Sequence, residues 1–201
     1  RGTELITVYI GTSKQPQNIE YYKKIVETTS NKTEKLVALD SIISMEGRKD
    51  VDQFVKNCEA YIELAKELDS VEAATKKMIG ISYTLTSITN QPEKARRMID
   101  ELLARKYKIN DSFLLGSLYL KRGGANYRLD LEEATEDYKK AIETFSDKDS
   151  LYKADAYLFS GQAYSNLGKF VPAGENYRKA YEYFEALKDY EYMVFAQQGI
   201  T

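Results

Sequence analysis

The residues of this chain able to do chemistry are carboxylates, lysines, tyrosines, serines and threonines, because histidine is absent and Cys58 is the single cysteine. Without histidine the commonest general base, proton shuttle and metal ligand are missing, which excludes His-dependent triads and His-containing zinc sites. One cysteine excludes an internal disulfide and any multi-cysteine cluster. Glu132, Glu133, Glu136 and Asp137 have the composition of a metal or acid/base site. They open a predicted helix, however, where negative charge suits the dipole, and a solvated helix face is the better reading. Asp147-Lys148-Asp149 begins like a calcium loop but lacks the central glycine and terminal glutamate such a loop needs. Arg122-Gly123-Gly124 is one RGG-like triplet, read as a flexible inter-helix turn rather than an RNA contact. Asn31-Lys32-Thr33 and Asn110-Asp111-Ser112 match the glycosylation sequon, a frequent chance match. No catalytic residue, metal ligand or cofactor is assigned, and no enzymatic activity is expected.

Composition points the same way. The chain has 201 residues, 43% hydrophobic and 30% charged, with 29 basic against 31 acidic side chains and a net charge of -2. That is the balance of a globular protein with a sizeable core. It offers no basic surplus for nucleic-acid phosphates. No apolar run approaches the roughly 20 residues that a membrane-spanning helix requires, so no membrane contact is expected of this segment. The sequence begins without Met and stops inside a predicted helix, as expected of a piece of a longer protein.

The elements that would position functional side chains are helices. Only 3 Pro and 11 Gly interrupt the chain, and β-branched alternation is confined to the apolar stretch at residues 5–10. Ten helices are predicted, at residues 18–28, 32–45, 50–68, 70–88, 92–105, 110–122, 130–145, 150–166, 171–187 and 190–201. Asn31, Asp50 and Asp130 each stand three residues before Glu or Gln, the spacing of a capping box. Pro92 and Pro172 sit where a first helical turn begins.

Self-comparison finds Gly-x-x-Tyr at Gly80/Tyr83, Gly116/Tyr119 and Gly161/Tyr164, with Gly199 opening a fourth copy; successive glycines are 36, 45 and 38 residues apart. A second pattern recurs at offsets of four and seven: Ala95/Ile99/Leu102, Ala134/Tyr138/Ala141 and Ala173/Tyr177/Ala180, with Cys58/Ile62/Ala65 fitting the same template. Such offsets lie on one helical face, and small residues let paired helices approach closely. The unit is a helical hairpin, with Cys58 in a buried packing place and the patterned tyrosines in helix contacts. Tyrosines outside the pattern are the ones left for a partner.

The run Tyr157, Gly161, Tyr164, Gly168, Ala173, Tyr177 and Ala180 resembles the tetratricopeptide repeat family. Its Gly-to-Ala distance is 12, against 15 for Gly80/Ala95 and 18 for Gly116/Ala134, where longer inter-helix turns are expected. Lys76 and Ser112 stand where Tyr157 and Phe195 place a large residue, and the proline that commonly closes such a repeat is absent. The resemblance covers residues 70–201, with the last repeat cut short, while residues 18–68 look like degenerate units. Residues 1–17 form an N-terminal tail, expected to be disordered or docked on another molecule. The implied fold is all-α, a right-handed superhelix of antiparallel helical hairpins.

The resemblance also implies a surface for a peptide or partner helix, formed by the first helices of successive repeats. The residues expected on it are Lys77, Ile81 and Leu85, then Phe113, Ser117 and Lys121, then Leu158, Gln162 and Asn166. These columns lack the paired asparagines and full basic set by which chaperone-tail-binding members hold a terminal carboxylate. The array further resembles the irregular repeats that precede a membrane helix and a histidine kinase, or a DNA-binding output domain, in certain bacterial signalling proteins. That likeness implies a sensory or regulatory module, periplasmic if it joins a sensor kinase and cytoplasmic otherwise. A structural scaffold mediating assembly or self-association is the alternative.

Overall fold

The structure, a computed structural model, describes residues 18–200. The tail at residues 1–17, including the apolar stretch at 5–10, lies outside the described residues, as does Thr201. Ten α-helices account for nearly all of what is described, and no strand occurs among the described residues. They are α1 (Ile19–Thr28), α2 (Lys32–Glu46), α3 (Val51–Glu67), α4 (Val71–Tyr83), α5 (Pro92–Leu103), α6 (Ser112–Leu129), α7 (Leu131–Thr144), α8 (Ser150–Asn166), α9 (Phe170–Ala186) and α10 (Tyr190–Ile200). A π-helical turn, Thr84–Ile88, continues α4.

The helices start where short polar side chains satisfy orphan amides. Asn31 accepts from the amides of Thr33 and Glu34, Asp50 from Gln53, and Asp130 from Glu133. Asp111 caps α6 in the same way through Phe113 and Leu114. Pro92 opens α5, where its missing amide costs nothing.

The described residues pack as two units, divided between Lys77 and Met78 inside α4. In the first, α2 packs against α1 and α3. Ala38, Leu39, Ile42 and Ile43 of α2 and Phe54, Val55, Cys58, Ile62 and Ala65 of α3 are buried, at spacings of three and four that make one apolar stripe. Burial pushes the Cys58 thiol up to about 11, against the smaller opposing pull of Lys77 and Arg48. The side chain is a small packing residue rather than a ready thiolate. Lys77 pairs with Asp40 and lies 4.6 Å above the Tyr61 ring.

In the second unit each helix from α5 to α9 packs on its successor, and α6 also touches α8 as α8 touches α10. The glycine pattern explains how closely they meet. A Cβ on Gly161 would lie 2.9 Å from the Tyr177 ring, and one on Gly199 2.5 Å from the same ring, so α8 and α10 both close on one tyrosine of α9. Ala154, Leu158, Ala173, Ala180, Phe184 and Ala196 complete that core. Between α6 and α7, Gly116 meets Phe145 and Gly123 meets Tyr138, at 2.6 and 2.5 Å by the same measure. The two pairs run in opposite directions along the helices, so α6 and α7 are antiparallel.

Several expectations are corrected here. The inter-helix turn after α6 is not long, since Asp130 alone separates Leu129 from Leu131; the extra residues extend the helix instead. Arg122-Gly123-Gly124 therefore lies inside α6 and is no loop. Glycine's poor helix propensity is overridden because only a residue without Cβ admits the Tyr138 ring at Gly123. Asp137 does not belong to a solvated face, being 1% exposed, whereas Glu132, Glu133 and Glu136 are exposed as expected. Arg122 donates to Asp137 Oδ1 from Nε at 3.0 Å and from Nη2 at 2.8 Å, and Asn126 donates to its Oδ2 at 2.8 Å. Arg96 and Asp100 of α5 join the network through Asn126 and Arg122. The first Gly-x-x-Tyr is not a packing motif: Gly80 is exposed and Tyr83 is 64% exposed.

Candidate functional site

A groove of about 620 Å³ opens on the second unit. Its walls come from three helices separated in sequence by partners that back them. The end of α4 and the π turn supply Ile79, Ser82, Tyr83, Thr86 and Ser87. From α6 come Phe113, Ser117, Leu120, Lys121, Gly124, Tyr127 and Arg128, spaced by three and four along one face. From α8 come Tyr152, Asp155, Phe159 and Gln162, again one stripe, while Tyr138 of α7 reaches the floor between them.

The π turn helps to place the first wall. Its widened hydrogen bond runs from the Thr89 amide to the Thr84 carbonyl, five residues apart, which rotates the following side chains relative to a regular helix. Thr86 and Ser87 face the groove from this turn. Ring contacts fix the opposite wall: Phe113 meets Tyr152 edge to face at 4.8 Å between centroids, and Tyr138 lies 6.0 Å from Phe159. Arg128 donates to Asn90 Oδ1 at 3.2 Å, and Asn166 Nδ2 donates to the Tyr127 hydroxyl, which steadies Tyr127 at the rim.

Two opposite charges stand on the facing helices. Burial raises the Asp155 carboxyl from 3.8 to about 6, with Lys121 opposing the rise and Asp189 adding to it. Burial lowers the Lys121 ammonium, and Asp155 counters that. Each group is thus partly stripped of water beside aromatic rings. The arrangement offers flat apolar faces, hydroxyl and amide groups, the cations Lys121 and Arg128 and the anion Asp155, a combination with the chemistry to hold and orient a ligand. No cluster of three metal-ligating side chains occurs among the described residues.

Of the nine residues expected on the binding surface, the groove takes Phe113, Ser117, Lys121 and Gln162. Ile81, Leu85 and Leu158 are 1%, 0% and 3% exposed, so they fill helix interfaces and not an open face. Leu158 lies on the same side of α8 as the core residue Ala154. Lys77 belongs to the first unit, held by Asp40. Asn166 is exposed outside the groove lining and touches it only through Tyr127. In α4 the error follows from taking Gly80 as a packing position. Sequence reasoning missed Tyr127, Tyr152, Asp155 and Phe159; the spacing 152, 155, 159, 162 is the signal that could have found the α8 stripe. No protein-family model matches the chain, and no curated protein matches it significantly.

Proposed function

We propose that this chain is a protein- or peptide-binding module whose ligand lies in the groove of α4, α6 and α8. The observation that carries the reading is the groove itself, where aromatic walls and polar points converge on a cavity of about 620 Å³. That volume falls within the range of pockets that bury a small ligand or a few residues of peptide, roughly 300–1,000 Å³. The hairpin pairing of α6 with α7 and α8 with α9, and the glycine and alanine pattern around Tyr177, support a tetratricopeptide-like array winding into a right-handed superhelix. By the resemblance stated above, the module serves as the sensory or regulatory part of a larger bacterial signalling protein. A kinase or DNA-binding domain encoded in the same gene would bear this out.

The reading is tested by panning the chain against a library of end-blocked peptides. Enrichment of aromatic-containing peptides is expected, and its loss in the double variant Phe113→Ser/Phe159→Ser, with helicity unchanged by circular dichroism. Equal enrichment by the variant would place binding elsewhere. A second reading, a scaffold that self-associates, is favoured by Phe170, Val171, Leu187, Tyr190, Val194 and Phe195, all exposed around α9 and α10. Sedimentation that changes with protein concentration would support it.

A further inference from the structure

The two charges in the groove carry the reading further. Lys121 and Asp155 feel one another's charge, yet they form no ion pair with each other or with any other described residue. Both are partly buried, so each has lost water without gaining a partner in contact. An ion pair across the groove would relieve both and leave nothing for a ligand. Held apart, they favour a ligand that brings an anion to one and a cation to the other. The surroundings of the two differ in the way such a ligand needs. Asp155 has Tyr152 three residues before it and Phe159 four residues after it on the same helical face, so a cation at its carboxylate would lie against aromatic rings. Lys121 has Ser117 and Arg128 on its own face, a hydroxyl and a second cation suited to a carboxylate.

Spacing sets the ligand's dimensions. Lys121 and Asp155 stand on the touching helices α6 and α8, too far apart for an ion pair yet near enough for each to feel the other's charge, a gap that a short stretch of extended peptide can bridge. An extended peptide advances about 3.3–3.6 Å per residue. We propose that the groove selects an extended peptide segment carrying an acidic and a basic side chain one to three residues apart, the acid held by Lys121 and the base by Asp155 between Tyr152 and Phe159. This inference rests on the peptide-binding reading of the same groove.

The test pans the full chain against end-blocked hexapeptides containing Tyr or Phe, in which the remaining positions carry Lys, Glu, Gln or Gly. Enriched peptides are expected to pair Lys with Glu within three positions and in one preferred order. The double variant Lys121→Glu/Asp155→Lys, which keeps the net charge, should reverse that order. Should it fail to fold, Lys121→Met and Asp155→Asn serve singly: the first should lose selection for Glu alone and the second for Lys alone, each weakening the best peptide about tenfold or more. Enrichment of neutral aromatic peptides, or of one sign of charge only, overturns the charge-pair assignment and leaves the peptide-binding reading standing. Enrichment of nothing overturns both.

Discussion

Tyr138 of α7 and Tyr177 of α9 occupy matching places in their hairpins, each pressed against a glycine of the preceding helix, but their neighbourhoods differ. Around Tyr177 the core is apolar, built from alanines, Leu158 and Phe184, and a second glycine, Gly199, closes from the next helix. Beside Tyr138 stands the buried carboxylate of Asp137, which gathers Arg122 and Asn126 of α6 and, through them, Asp100 and Arg96 of α5. The α6–α7 hairpin also carries a second glycine–aromatic contact, Gly116 with Phe145, two turns away. The comparison teaches that close approach comes from glycine against a ring in both hairpins. In α8–α9 the register is held by shape, and in α6–α7 by directed hydrogen bonds as well.

The largest effect should come from removing what only one hairpin has. Asp137→Ala leaves the Arg122 guanidinium and the Asn126 amide without their shared acceptor, and unfolding by urea should show a loss of about 3–5 kcal/mol. Glu133→Ala on the exposed face of the same helix should change stability by less than about 0.5 kcal/mol. Equal effects at the two positions would remove the network from the account.

Next come the glycines. Gly161→Ala forces a methyl into the Tyr177 ring and should cost about 1–3 kcal/mol, and Gly123→Ala should cost a similar amount against Tyr138. Gly80→Ala should instead gain about 0.5–1 kcal/mol, since Gly80 is exposed in a helix with open space where a Cβ would stand. Thermal melts of the three variants give the order directly; a loss at Gly80 matching that at Gly161 would restore it to the packing pattern.

The last effect is that of pH on the groove. The Asp155 carboxyl is raised to about 6 from 3.8, so the folded protein binds this proton more tightly than the unfolded chain. Its ionised form costs stability above pH 6, and the cost is relieved as pH falls from 6 towards 4. The melting temperature of Asp155→Asn should exceed that of the parent at pH 7.5, and the difference should shrink by pH 5. A difference constant between the two pH values would contradict the burial of Asp155.

Much of this was legible in the residues. The capping side chains Asn31, Asp50 and Asp130 and the four-and-seven offsets locate helices well, because caps and apolar stripes are local in sequence. Gly161, Ala173, Tyr177 and Ala180 sit where the pattern puts them, because their Gly-to-Ala spacing of 12 is the shortest of the three and the motif spans the hairpin directly. Gly80 and the end of α6 misled for the opposite reason. Whether a glycine is a contact or a gap depends on which ring faces it, and whether Gly123-Gly124 breaks a helix depends on Tyr138, fifteen residues onward. The π turn at Thr84–Ile88 leaves no mark in the pattern, yet it helps to decide which side chains of α4 reach the groove. Asp137 hid among exposed acids because its partners, Arg122 and Asn126, lie on another helix.

The ligand is proposed to lie in the α4, α6 and α8 groove. The most direct measurement is an amide NMR titration of the full chain with the most enriched end-blocked peptide. The account predicts saturable shifts at Ser117, Gly124 and Gln162, with Phe170, Val171 and Tyr190 unmoved. Shifts confined to Phe170, Val171 and Tyr190, or none at saturating peptide, would contradict it.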